Sequence, residues 1–326
     1  LVCVTILQAL MNPIASLVLI RMNGGTAMMR ILGIVGVQIC ICVPIIVFQF
    51  CKGKEFFSKE YWGYALRIGI PIVPHYLSGI ILNQGDRIMI DKMVGKTEVA
   101  LYGLAYSIGM LVQLFISGMN SALTPWMYSK IKKGDIRSMR KVLQLLSVVV
   151  VGIAVALMLI SPELVLIFGS PKYREAVYVI PPVAASVFFI FIYNILSMPQ
   201  FYYEKTQFLM AASMAAAGAN VVLNFIFIRL FGYIAAGYTT LACYMLYSVG
   251  HYIVSKRILV NEGIQENLMN PGFLLACSVF LIGASIICNL IFPYRILRYA
   301  ILLASAGLVF WKKELLLKTM ADIRKK

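Results

Sequence analysis

The sequence predicts an all-α polytopic membrane protein, and three observations carry that reading. The chain of 326 residues is 61% hydrophobic. Only 13% of it is charged, roughly half of what a soluble domain carries. The apolar residues also gather into runs of about twenty, the length at which a helix crosses a hydrocarbon core with every backbone group paired internally.

Ten such runs follow one another, at about 1–20, 30–51, 66–93, 99–128, 142–161, 174–198, 205–229, 233–255, 271–292 and 295–312. Short, basic connections separate them. With the segment 52–65 placed in the cytoplasm and sides alternated, 19 of the 29 Lys and Arg residues fall on the cytoplasmic side. That bias is the positive-inside pattern and predicts a cytoplasmic C-terminus in a basic tail, 313–326. It also accounts for the net charge of +16 without a nucleic-acid partner. The seven cysteines show no C-x-x-C spacing, so no metal centre or disulfide framework is expected, and they read as small core residues.

A repeat organises the runs. Asn12-Pro-Ile-Ala-Ser-Leu-Val-Leu-Ile-Arg-Met-Asn-Gly24 lies over Asn220-Val-Val-Leu-Asn-Phe-Ile-Phe-Ile-Arg-Leu-Phe-Gly232 at one offset of 208, without a gap. Both copies end on the same predicted side, which makes the repeat parallel, an arrangement common in transporters. The second copy occupies helices five and six of the block 66–255. If the first copy holds the equivalent place, four helices precede Leu1, and the first lobe is expected to be truncated at its N-terminus. The predicted divisions are therefore 1–51 (the last two helices of an N-terminal lobe), 52–65 (a cytoplasmic linker), 66–255 (a six-helix C-terminal lobe), 256–312 (an extra helix pair) and 313–326 (the tail). The linker mixes Lys52, Lys54 and Lys59 with Phe56, Phe57, Tyr61 and Trp62. It suits either a surface helix at headgroup depth or an aromatic belt at the start of the next span.

The run 66–93 carries the chemistry. It holds Pro71, Pro74, His75, Asn83, Gln84, Asp86 and Arg87 in otherwise apolar sequence. Ionisable groups inside a span cost roughly 2.5–3.5 kcal/mol each on insertion scales, so they face a bundle interior or a watery cavity. At about 100° per residue, His75, Gly79, Asn83, Asp86 and Arg87 fall within an arc of about 120°, whereas Ile80, Ile81 and Met89 lie outside it. Two readings stay open for Asp86 and Arg87. They pair with neighbouring polar groups, or Arg87 presents its fork to a phosphate while Asp86 orients it or binds a coupling cation. His75 is either a satisfied intramembrane histidine or a protonatable group. Pro71 and Pro74 lack amide donors, which predicts a kink and a candidate hinge. Asn220 and Asn224, at i and i+4, read as interhelical hydrogen-bonding groups. Tyr76, Tyr102, Tyr106, Tyr193, Tyr202 and Tyr203 have the rings to stack on sugars, though belts and packing usually account for tyrosine. Neither G-x-x-x-x-G-K-[ST] nor H-E-x-x-H occurs. The predicted outer loops are also short for a membrane glycosyltransferase or polymerase, which argues against an enzyme.

Gly85-Asp-Arg-Ile-Met-Ile-Asp-Lys-Met-Val-Gly95, followed by Ala100-Leu-Tyr-Gly-Leu-Ala-Tyr106, resembles the start of the C-terminal lobe of bacterial polysaccharide-repeat flippases. In that family D-R-[I/L]-[M/L] precedes G-x-Y-x-x-A-Y, and here Ala100 replaces the first glycine of the second piece. Ala122-Leu-Thr-Pro-Trp-Met127 and Phe231-Gly-Tyr-Ile-Ala-Ala-Gly237 fit the same order. The family sits in the multidrug/oligosaccharidyl-lipid/polysaccharide exporter superfamily. The resemblance implies a two-lobe exporter bundle around a cationic cavity, in the bacterial plasma membrane. It implies alternating access that moves an undecaprenyl-pyrophosphate-linked oligosaccharide outward, with Arg87 at the matching cavity position and Asp86, His75, Asn83 and Gln84 beside it. No cofactor is expected, and coupling to H+ or Na+ stays open. Expected partners are that lipid-linked oligosaccharide, membrane lipids, and the polymerase and glycosyltransferases of polysaccharide synthesis. The final helix pair favours polysaccharide or lipid II flippases over a cation-coupled multidrug-type extruder, in which Asp86 would be the exchange site.

Overall fold

The computed structural model of the protein describes residues 2–22, 26–54 and 57–311. Every regular element among them is helical, so the chain is an all-α polytopic membrane protein. It divides into two compact units, Leu1–Leu66 and Arg67–Lys326.

The first unit is built on α1 (Val2–Met22) packed against α2 (Ala27–Gly53). A close approach fixes their crossing. A Cβ on Gly33 would lie 2.7 Å from the backbone N and Cα of Ser16, so only glycine fits there. The Ser16 hydroxyl donates to the Arg30 carbonyl at 3.3 Å across the same contact.

The second unit takes in most of α3 (Lys59–Met93), then α4 (Lys96–Gly109), α5 (Leu111–Lys133) and α6 (Ile136–Phe168). A 3-10 turn (Pro171–Val179) leads into α7 (Ile180–Tyr202), followed by α8 (Thr206–Phe231), α9 (Ile234–Asn261), α10 (Pro271–Ile291) and α11 (Arg295–Trp311). The central member is α7. Nearly its whole circumference is buried, from Ile180 through Phe191 to Gln200, as expected of a helix apolar on every side. It packs against α4, α5, α6, α8, α9 and α10. Pro181 and Pro182 occupy its first turn, where a missing amide costs no helical bond. Asp135 starts α6, accepting from the Ser138 amide at 3.2 Å while holding the Lys130 ammonium at 2.6 Å.

Each of the ten predicted runs coincides with helix, with two differences of detail. The run 99–128 is two helices broken at Met110, and the preceding Gly109 passes so near α7 that a Cβ would sit 2.6 Å from Val183. The run 174–198 begins as the 3-10 turn. Eight segments among the described residues are long and apolar enough to cross a membrane. The other two runs correspond to α9, whose threonines, tyrosines, His251, Lys256 and Arg257 lower its apolarity, and α11, which has 17 residues. The stretch 52–65 forms no separate surface helix among the described residues. Lys52 and Gly53 close α2, and Lys59–Tyr64 are the first turns of α3, with the Phe57 and Trp62 rings 6.0 Å apart. The predicted tail 313–326 and Gly24 of the repeat lie outside the described residues. Six cysteines among the described residues are free; Cys243 and Cys288 are buried, while Cys40 and Cys51 are exposed rather than core residues.

The repeat has a structural counterpart. Moving α2 along the chain by 208 gives 235–261, and α9 spans Ile234–Asn261. Moving α1 likewise places its end at 230, and α8 ends at Phe231.

Candidate functional site

The site grows from one stripe of α3. Ser78, Leu82, Asp86 and Ile90, each four residues on from the last, form its buried face, and Ile80 and Ile81 point outward. Burying a carboxylate on that stripe costs several kcal/mol unless donors replace its water. The neighbouring helices supply them.

Asp86 is fully buried. Its Oδ2 accepts from the Tyr102 hydroxyl of α4 at 2.5 Å and from the Thr240 hydroxyl of α9 at 2.7 Å. Its Oδ1 accepts from the Asn224 amide of α8 at 2.6 Å. The same Asn224 nitrogen donates to Asn220 Oδ1 at 3.2 Å, and the Thr239 hydroxyl donates to Asn224 Oδ1. Three neighbouring helices thus reach the carboxylate of α3 through one amide and two hydroxyls, and Asn220 and Thr239 brace that amide. One donor in the cluster, Asn220 Nδ2, is buried without a partner.

One turn back, Asn83 accepts from Tyr106 at 2.7 Å and from Tyr244 at 3.3 Å, and returns its own amide to the Gly79 carbonyl at 2.7 Å. His75 shares a 3.0 Å hydrogen bond with Tyr247 through Nδ1. Arg87 is placed differently. It donates to the exposed Gln84, and its guanidinium lies 4.9 Å above the Tyr106 ring, without an ion pair among the described residues. Asp86 therefore does not orient Arg87; its oxygens are taken up by α4, α8 and α9. The arc drawn from the sequence splits into a sealed centre at Asp86 and an open edge at Arg87 and Gln84. Pro71 and Pro74 lie inside an unbroken α3, where the Ser78 hydroxyl meets the Pro74 carbonyl at 2.7 Å.

Asn224 takes the interhelical bonding role predicted for the pair, to Asp86 and Thr239, whereas Asn220 bonds to Asn224 within α8. Tyr102, Thr239 and Thr240 were not assigned to Asp86 from the sequence. The tandem threonine inside an Ala- and Tyr-rich helix is too common a feature of membrane helices to point to Asp86. Tyr102 and Tyr106 are buried in packing and offer no ring face to a sugar. No group of three or more His, Cys, Asp and Glu among the described residues is arranged to hold a metal ion.

The fold and the site define a polytopic helical membrane protein, with one carboxylate sealed among hydroxyls and amides and a half-buried arginine beside it. Comparison with known proteins narrows this. The family described as "Polysaccharide biosynthesis protein" matches residues 1–132, and the MatE family matches residues 71–226. "Lsg locus putative protein 1" of Haemophilus influenzae is 28% identical over 172 residues, covering 49% of this chain and 41% of the relative. An "Uncharacterized membrane protein" of the same organism is 29% identical over 167 residues, covering 48% and 40%. The chain thus spans about two fifths of the length of the curated relatives it matches. No solved structure matches. Over residues 1–226 the chain is thus similar to polysaccharide biosynthesis and MatE proteins. Both matching families are transporters rather than enzymes.

Proposed function

We propose that the protein moves an undecaprenyl-pyrophosphate-linked oligosaccharide across the bacterial plasma membrane, cytoplasmic to outer leaflet, by alternating access of two lobes. In this reading the C-terminus is cytoplasmic, and the polymerase and glycosyltransferases of polysaccharide synthesis act on either side of the step. The carrying observation is the split between two adjacent residues, Asp86 sealed in a four-helix cage and Arg87 left open with Gln84 and Tyr106. Arg87 meets the pyrophosphate. Its charge is permanent and its planar fork matches phosphate oxygens. Asp86, with Asn220, Asn224 and the two threonines, takes up the coupling cation, H+ or Na+. His75 and Asn83 line the path, and Pro71 and Pro74, which leave α3 short of two amide donors, serve as its hinge. A headgroup with about two negative charges gains roughly 2.3 kcal/mol per charge per 100 mV when moved out of a negative interior, so about 4–5 kcal/mol is available without ATP.

A second reading, a cation-coupled extruder of small amphiphiles, is favoured by the MatE match over 71–226. Complementation separates the two. In cells lacking their own exporter, Arg87→Ala abolishes surface polysaccharide if the lipid-linked oligosaccharide is the cargo. Under the extruder reading the same variant leaves the polymer largely unchanged, and Asp86→Asn removes drug resistance instead.

A further inference from the structure

A second cluster of cations shares no residue with the Asp86 cage. It lies where α6 ends, and α6 is 33 residues long, so about 50 Å of helix separates it from the basic turn at Lys130–Lys133. Here the end of α6, the 3-10 turn and the start of α11 enclose a cavity of about 810 Å3. That is within the range of small-molecule sites, roughly 300–1,000 Å3. Lys172, Arg174, Arg295 and Arg298 line it with Glu163 and Glu175, four cations against two carboxylates.

The carboxylates do not neutralise the cations evenly. Arg298 claims Glu163 completely, each terminal nitrogen donating to one oxygen at 2.8 Å, with a further bond to the Leu159 carbonyl at 2.6 Å. Lys172, Arg174 and Arg295 form no ion pair among the described residues. Arg298 itself is only 3% exposed, lines the cavity, and has an Nε–H without a hydrogen-bond partner. A buried charged donor left open at the wall of a cationic cavity calls for an acceptor from outside the chain. Aromatic side chains mark the depth. Tyr178 and Phe292 pack with ring centroids 5.9 Å apart, and Tyr294 is exposed beside them, the composition of a membrane–water interface.

We propose that this cavity binds a phosphate-bearing anion at headgroup depth, held by Lys172, Arg174 and Arg295 against the Arg298–Glu163 pair. The ligand is either the headgroup of an anionic lipid or free phosphate. The site is independent of the Asp86 cage and of the cargo assigned to it.

The test uses the full chain purified in neutral detergent, with dioctanoyl phosphatidylglycerol, dioctanoyl phosphatidylcholine and inorganic phosphate as probes, and bound ligand read by native mass spectrometry. Arg174→Gln with Arg295→Gln removes two exposed cations from the cavity. Lys132→Gln with Lys133→Gln removes the same charge at the other end of α6 and serves as control. Saturable binding of phosphatidylglycerol or phosphate, weakened about tenfold or more by the first pair and not by the second, supports the site. Retention of phosphatidylglycerol with no competition from phosphate identifies the lipid as ligand; equal competition identifies the free anion. The proposal is overturned if neither anionic probe binds, if phosphatidylcholine binds as well, or if both variant pairs weaken binding alike. Circular dichroism of each variant confirms that helix content is kept.

Discussion

The hairpins α1–α2 and α8–α9 are two versions of one design, and they differ in what they carry. Their sequences align at an offset of 208 and their helix ends agree to within about a residue where both are complete. Asn12 corresponds to Asn220, but Ser16 stands where Asn224 does, and Ile31 and Leu32 stand where Thr239 and Thr240 do. Further along, Ile39 and Val43 occupy the positions of Tyr247 and His251. The second copy buries a polar network; the first presents Ile31, Leu32, Ile39 and Val43 as exposed apolar side chains. Helix length and hairpin geometry are set by the apolar pattern, which both copies keep. The polar chemistry is a handful of substitutions laid onto that frame in one copy.

The sharpest way to break this contrast is Asp86→Ala. Tyr102, Thr240 and Asn224 then lose the acceptor they share, at about 1–3 kcal/mol for each donor left buried. We expect thermal stability to fall by several kcal/mol and export to drop by about two orders of magnitude or more. Wild-type export from this variant would reduce the second copy to scaffold.

Thr240→Val keeps the shape and removes one bond to the carboxylate, worth about 1.5–3 kcal/mol for a charged acceptor. Transport in a vesicle assay should fall roughly tenfold while the protein still folds. In the same preparation, Na+ or added protons should raise the melting temperature of the wild type and leave Asp86→Asn unchanged. An equal shift in both would remove Asp86 as the cation site.

Gly33→Ala probes the other hairpin. Its Cβ meets the Ser16 backbone at 2.7 Å, so about 1–3 kcal/mol of packing is at stake in α1–α2, whereas the equivalent position of α9 already carries Leu241. A variant as stable as wild type would mean that the two hairpins cross more alike than this contact shows. Smallest of all, Ile31→Thr with Leu32→Thr places the second copy's hydroxyls on the exposed face of the first. Stability should change by less than about 0.5 kcal/mol, because both side chains are exposed.

The division of the chain into helices was legible because apolar runs of span length have few alternatives. The break at Met110 was not, and neither was the close approach of Gly109 to Val183, a distance between helices that periodicity does not encode. The same limit governs the site. Asp86, Asn83, Asn220 and Asn224 stood out as polar residues in apolar sequence. That Asp86 turns to Tyr102 and Thr240 rather than to its neighbour Arg87 follows from α4 and α9 packing on one side of α3, which no local spacing reveals. Threonine and tyrosine are common enough in membrane helices that their part in the cage became visible only through distance.

The Arg298–Glu163 pair bears on how the protein is made. A ribosome delivers α6 well before α11, so the carboxylate of Glu163 is already at the membrane face when the guanidinium of Arg298 emerges. An unpaired arginine near the start of a 17-residue helix would hinder its insertion. A waiting partner removes that obstacle and orders assembly, with α11 docking onto a bundle formed earlier in synthesis.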